Sequence, residues 1–227
     1  NDGTMYEIAQ TYKDATAQNV NEDYNKSTTI NAPYKFYIPS GLTSVTITDD
    51  TTIGESAFMD CDIVDTIILP DMLETIMAYA FDNCLDLDSI NIPAGVSTIG
   101  QYAFKNCRTM TTITYNADIL TTISEGTFYN CYELEELEVL PSIKFIEAYA
   151  FYNCIDELVT EVTVHSNVEQ IGYAAFGGCI NLTEMTLPFV GGHAYTESAD
   201  DTKEELFGYI FGEKHPKDNE THPVLYT

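Results

Sequence analysis

IGESAFMDC (53–61), IMAYAFDNC (76–84), IGQYAFKNC (99–107), ISEGTFYNC (123–131), IEAYAFYNC (146–154) and IGYAAFGGC (171–179) are six versions of one phrase. Their phenylalanines, Phe58, Phe81, Phe104, Phe128, Phe151 and Phe176, stand 23, 23, 24, 23 and 25 residues apart, and each of the chain's six cysteines follows one of them by three residues. Self-similarity at a fixed short period marks a repeat architecture and overrides any domain count taken from length alone.

Outward from these phrases, a second one fills the intervals: LTSVTIT (42–48), VDTIILP (64–70), LDSINIP (87–93), MTTITYN (110–116), LEELEVL (134–140), VTEVTVH (159–165) and LTEMTLP (182–188). Apolar residues alternating with polar, often β-branched ones signal a strand, and the proline after Leu69, Ile92 and Leu187 ends it because proline cannot donate to a ladder. Each unit therefore reads as strand, turn, then a short helical turn carrying the AF pair and the cysteine. One strand per period of about 20 to 29 residues is the leucine-rich repeat signature. The expected fold is an α/β repeat solenoid of about six 23-residue units, with a seven-strand parallel inner sheet and short helical turns on the outer wall.

Strands at equivalent phase stack about 4.8 Å apart. Val45/Ile47, Ile67/Leu69, Ile90/Ile92, Ile113/Tyr115, Leu137/Val139, Val162/Val164 and Met185/Leu187 then point inward, and the phenylalanines close the core from the opposite wall. Two irregularities interrupt the period. Strand to next Ile is ten residues rather than nine around Ala117 and Asp118, and Cys154 is followed by eight residues rather than six because of Asp156 and Glu157. The chain divides into an irregular or capping segment (1–36), the solenoid (37–188) and a capping or connecting insert (189–227). In that insert Leu206, Phe207, Tyr209, Ile210 and Phe211 are apolar enough to cover the last repeat.

Acidic residues number 36 against 9 basic ones, a formal charge of -27, which repels phosphate backbones and anionic lipid and argues against nucleic-acid or membrane-surface binding. The longest apolar runs, such as 67–69, are strand-sized, so neither a membrane span nor a signal peptide is expected. The six cysteines occupy one phase. Their side chains should form a buried parallel column with Cβ atoms about 5 Å apart, against the roughly 3.8 Å a disulfide prefers, so reduced thiols are expected. A metal site built from His193, His215 and His222 with Asp200, Asp201 or Asp218 is conceivable, but solvated loop residues are the better reading. With no HExxH, GxSxG, P-loop or GxGxxG, and no feature selecting two carboxylates at a catalytic distance, the chain is not expected to be an enzyme.

The acids are unevenly placed. Residues 53–188 hold 21 Asp or Glu against Lys105, Arg108 and Lys144. The strand positions between the inward columns face the concave surface: largely hydroxyl and amide, with Ile68, in the first four rungs, but Glu136, Glu138, Glu161 and Glu184 in the last three. Glu136, Glu161 and Glu184 share a phase and should form a like-charge ladder, which destabilises a sheet unless something neutralises it. The bland reading is ordinary solvation of an acidic face. The functional one is a patch for a basic protein segment or a divalent cation, Ca²⁺ being the one ion considered; no other cofactor is expected. Tyr79, Tyr102, Tyr149 and Tyr173 recur before the AF pair, as packing residues or, if exposed, as platforms for sugars.

The repeating phrase, Ile and often Gly, then AF, two residues and Cys, followed by LxxIxIP, resembles the BspA-like leucine-rich repeat family over residues 38–188. That resemblance implies a secreted or wall-attached protein, of the kind found on mucosal anaerobes and protists, with adhesion to host or microbial surface or matrix macromolecules as its role. PFVGG (188–192) and FGYIFG (207–212) are similar to inserts that punctuate long members of the family, implying one cassette of a longer array. The expected function is thus a non-catalytic, monomeric protein-binding or adhesion module at the cell surface. A structural spacer and a glycan-binding module are its alternatives.

Overall fold

A computed structural model of the chain describes residues 5–8, 36–116, 118–193 and 207–212, with 5–8 and 36 described as backbone only. The repeat phrases wind into stacked coils, each with three sides around one apolar interior. The first side is the long strand. Ser44–Thr46, Thr66–Ile68, Ser89–Ile92 and Thr112–Tyr115 form a four-stranded parallel sheet in that order, and Glu161–Thr163 pairs in parallel with Glu184–Thr186. The second side is a two-residue strand ending in Ile, preceded by a polar residue in every coil but one, where Phe145 stands. Thr52–Ile53, Thr75–Ile76 and Thr98–Ile99 form one parallel set, and Thr122–Ile123, Phe145–Ile146 and Gln170–Ile171 another. Near the beginning of the chain, Met5–Ile8 pairs antiparallel with Phe36–Pro39.

The third side corrects the expectation of helical turns. Among the described residues the AF phrases contain no helix; they are successive three-residue turns. In the coil of Phe81, Asp82 N–H donates to Tyr79 O (3.1 Å) and Cys84 N–H to Phe81 O (3.2 Å), both inside the coil. The alternate donors go to the next coil instead: Tyr79 N–H to Gln101 O (3.0 Å), Phe81 N–H to Ala103 O (2.8 Å) and Asn83 N–H to Lys105 O (2.8 Å). An α-helix would keep all of these within one segment and needs an unbroken run of negative φ. Here φ is +56° at Tyr79 and +68° at Asn83, and the same two phases are positive in every coil. Asp60, Asn83, Asn106, Asn130 and Asn153 hold the second of them, and Gly178 the last. Asn, Asp and Gly are the residues that enter this region at least cost. Their side chains also tie the coils: Asn83 donates to Asp60 (2.7 Å), Asn130 to Asn106 (2.9 Å) and Asn153 to Asn130 (3.0 Å).

Translation by one coil puts like residues on like residues. The six phenylalanine rings form a continuous face-to-face stack with centroids 5.1 to 5.9 Å apart. All six cysteines are free and buried. From Cys84 on, each thiol donates to the phenylalanine carbonyl of the preceding coil, as Cys107 does to Phe81 O (3.2 Å) and Cys154 to Phe128 O (3.4 Å). Burial, with smaller contributions from Asp60 and Asp62, pushes the Cys61 thiol up to about 11, and burial pushes Cys179 up to about 12, so neither is a thiolate at neutral pH. On the last coil Phe207–Phe211 forms a 3₁₀ turn, with Ile210 fully buried. Ala174 N–H donates to Tyr209 O and Phe176 N–H to Ile210 O, both at 3.0 Å, so this turn supplies the carbonyls that a further coil would. Leu206, the other residue assigned to covering this end, lies outside the described residues.

The second correction concerns the seven-strand sheet, which is broken. Residues 136–139 form no strand, and their backbone N–H and C=O groups make no backbone hydrogen bond with any described residue. The inserted residues account for it. Asp88, Thr111 and Thr183 each donate N–H to the equivalent position of the preceding coil (Asp65, Asp88 and Thr160), and Glu135 N–H likewise reaches Thr111 O. Thr160 should donate to Glu135. Asp156 and Glu157 lengthen the preceding loop, and Thr160 N–H turns back to Leu158 O at 2.9 Å. The passage after Thr112–Tyr115, in the preceding coil, is also one residue longer than the period. One extra loop thus flanks residues 136–139 on each side, and the ladder stops there.

Candidate functional site

The outward residues of the long-strand wall make one exposed face. Ser44, Thr46, Thr66, Ser89, Asn91, Thr112 and Thr114 give its first four rungs a neutral polar surface with one exposed aliphatic, Ile68. Glu136, Glu138, Glu161 and Glu184 are all exposed on the remaining rungs. Glu161 and Glu184 are register partners in the parallel pair, so two carboxylates sit one strand spacing apart. A like pair of this kind costs roughly 0.2 to 1 kcal/mol before screening. Glu136 and Glu138 belong to the face but not to the ladder, because their segment is unpaired.

None of the four side chains has a hydrogen bond or ion pair with a described residue, whereas the three cations of residues 53–188 are engaged elsewhere. Lys105 lies 3.5 Å from the buried Asp82, Lys144 lies 3.2 Å from Glu169, and the Arg108 guanidinium rests 5.5 Å from the Tyr132 ring centre. The face is therefore uncompensated from within the repeats.

Where the ladder stops, the wall opens into a cleft of about 230 Å³. Its floor and sides include Ile113, Phe128, Leu134 and Phe151, and Leu158, 60% exposed in the inserted loop, stands at its edge. Glu135, Glu136 and Glu138 line it as well. Loss of solvent around Glu138, and then its neighbour Glu136, hold its carboxyl above the usual carboxylate range. Sequence reasoning named Glu136 and Glu138 but missed the cleft. Its signal in the sequence is the pair of irregularities in the period, around Ala117/Asp118 and at Asp156/Glu157.

The tyrosines form a ribbon on the turn wall. Tyr79 stacks on Tyr102 (5.4 Å) and Tyr129 on Tyr152 (4.9 Å), while Tyr149, Tyr173 and Tyr209 follow edge to face. All seven rings are half-buried, and Tyr102 Oη donates to Glu125 at 2.6 Å. Their faces are largely occupied by one another. Of the conceivable histidine–aspartate metal site, only His193 falls among the described residues; His215, His222, Asp200, Asp201 and Asp218 lie outside them. Among the described residues no group of three or more His, Cys, Asp or Glu is arranged to hold a metal ion, and no helix is long and apolar enough to cross a membrane.

Residues 28–157 and 156–191 match the family model described as the BspA type leucine-rich repeat region, in six copies. No curated protein sequence matches the chain. Among solved structures, the leucine-rich repeat protein of T. pallidum is 25% identical with a TM-score of 0.58, covering 63% of this chain and 70% of its own. A leucine-rich repeat protein from Bacteroides ovatus is 21% identical with a TM-score of 0.46, over 71% of this chain and 53% of its own. The pneumococcal vaccine antigen PcpA is 22% identical with a TM-score of 0.45, over 64% of this chain and 50% of its own. The matches thus span about half the length of the latter two proteins.

Proposed function

The chain belongs to the BspA-type leucine-rich repeat family, and on that premise we propose that it is a non-catalytic, surface-exposed module that binds other proteins through its acidic strand face. The observation that carries this reading is the charge imbalance of the face: Glu136, Glu138, Glu161 and Glu184 are exposed with no cation paired to them among the described residues, while Lys105, Arg108 and Lys144 are held elsewhere. A basic segment of a host or microbial surface or matrix protein would relieve the mutual repulsion on binding, and steering by a face of one sign speeds the encounter. The chain acts as a monomer in this reading, at the cell surface or outside the cell.

The test is the fourfold variant Glu136→Gln, Glu138→Gln, Glu161→Gln, Glu184→Gln, titrated with a lysine- and arginine-rich peptide at two ionic strengths. The parent should bind more tightly at low salt, and the variant should lose most of that binding while melting no lower. Calcium is scored in the same titration: a stabilisation of the parent beyond that of equal ionic strength, absent in the variant, would assign the face to the ion instead. Undiminished binding by the variant would remove the face from consideration. A second reading, a spacer between other modules, draws on the turn 207–211, which presents carbonyls to the last coil as a following repeat would. A spacer would tolerate the fourfold substitution without functional consequence.

A further inference from the structure

We propose that the break in the long-strand wall is a side-chain-specific subsite that takes one arginine or lysine of an extended partner segment, with the aliphatic stem inside the cleft and the cation at its glutamate rim. The inference rests on the acidic-face reading and adds where on that face recognition is decided. Three independent features meet there. The cleft, about 230 Å³, is lined by Ile113, Leu134, Phe128 and Phe151, whose aliphatic and aromatic surface suits a methylene stem, with the hydroxyls of Thr111, Thr112 and Tyr115 also in its lining. Glu135, Glu136 and Glu138 line the same opening, so a cation on a stem of that length meets carboxylates where it re-emerges. Residues 136–139 belong to no strand, and their backbone N–H and C=O groups have no backbone partner among the described residues beside the cleft, as needed to hold a partner's main chain.

Among the described residues the rest of the wall is laddered, from Ser44 to Tyr115 and again from Glu161 to Thr186. Its acids at Glu161 and Glu184 stand on paired strands and can offer a partner charge but no depth. A long cationic side chain is thereby distinguished from a short one, which the face alone would not do.

The test uses the whole chain and capped pentapeptides of sequence Gly-Val-X-Val-Gly, where X is arginine, citrulline or diaminopropionic acid, followed by NMR titration. Citrulline keeps the stem and removes the charge; diaminopropionic acid keeps a charge and removes the stem. The arginine peptide should bind best, with shifts at Leu134 and Leu158, the citrulline peptide about tenfold more weakly and the short-stemmed cation about fivefold more weakly. The exposed-site variant Leu158→Ser should weaken the two long-stemmed peptides, arginine and citrulline, and leave the diaminopropionic acid peptide unchanged. Deleting Asp156 and Glu157, which restores the six-residue spacing and keeps Glu135, Glu136, Glu138, Glu161 and Glu184, should abolish the preference for the long stem. If long- and short-stemmed cations bind equally and Leu158→Ser changes nothing, while the fourfold Glu→Gln variant fails to bind, the subsite is overturned and the acidic-face reading stands. If the fourfold variant also binds normally, both fall.

Discussion

Replacing Phe151 by Ala removes the fifth ring of the six-ring stack. Phe151 is 1% exposed, with Phe128 at 5.4 Å on one side and Phe176 at 5.5 Å on the other. A buried Phe→Ala substitution costs about 3 to 5 kcal/mol in lost transfer energy and residual cavity. Each stacked pair adds about 0.5 to 1.5 kcal/mol beyond area, and two are lost, so the cost should lie near the upper end of that range. Phe58 is the comparison. It starts the column, is only half-buried, and has one ring neighbour among the described residues, Phe81 at 5.4 Å. Phe58→Ala should cost about half as much, on the order of 2 kcal/mol, because one stacked pair and part of the burial are missing from the start. Urea unfolding followed by far-UV circular dichroism gives both numbers, provided the slope with denaturant stays constant across the set. Equal costs for the two variants, or a cost below about 1 kcal/mol for Phe151→Ala, would refute the argument that stability is transmitted ring to ring along this column.

The thiols should be unreactive in the native protein and all six should titrate once it is denatured without reductant; an intact mass six hydrogens below the reduced formula would contradict this. Ile210→Ala should uncover the last coil, so that Cys179 becomes reactive while Cys107, three coils inward, stays protected; equal protection of both would show that the 207–211 turn does not cap. Glu138 has a carboxyl pKa raised in the folded state, so between its unfolded and folded values the folded chain binds more protons, and its contribution to stability grows as pH falls through that window. Glu138→Gln should therefore raise the melting temperature at pH 7, with the gain shrinking toward pH 3.5; a gain independent of pH would rule out the charge as its cause.

The repeat was legible because translation makes every coil report on every other. The period, the inward columns, the phenylalanine stack and the free cysteine column all follow from residues that recur at one phase, and a parallel solenoid gives recurring residues recurring neighbours. The turn wall departs from its sequence expectation for a definable reason. AF and Cys at a spacing of three suggest one face of a helix, and this outweighed the residue standing just before each cysteine, which is Asp60, Asn83, Asn106, Asn130, Asn153 or Gly178. Asn, Asp or Gly at every copy of one position is the mark of a left-handed backbone, and two such positions per phrase exclude a helix. The carboxylates were legible as residues, but their grouping was overstated, since only Glu161 and Glu184 are in register.

What makes the repeat readable is also what hides its site. Positions fixed by stacking, the isoleucines, phenylalanines, cysteines and asparagines, face inward or bond to the next coil, so they are unavailable to a partner. Specificity has to come from outward positions, which stacking leaves free to vary, or from places where stacking itself fails. Residues 136–139 are both. Their side chains Glu136 and Glu138 break the neutral run of Thr and Ser on the wall, and their backbone sits between the two departures from the regular period. An unpaired stretch of backbone beside an opened core is costly in a solenoid whose other rungs are paired, by about 0.5 to 1.5 kcal/mol for each hydrogen bond forgone. Deletion of residues 156 and 157 measures that cost directly. If the regularised chain gains stability of this order while losing its selectivity for a long cationic side chain, the break is a binding feature maintained at the expense of the fold. If it gains stability and keeps that selectivity, the break is a tolerated insertion and recognition belongs to the paired glutamates alone.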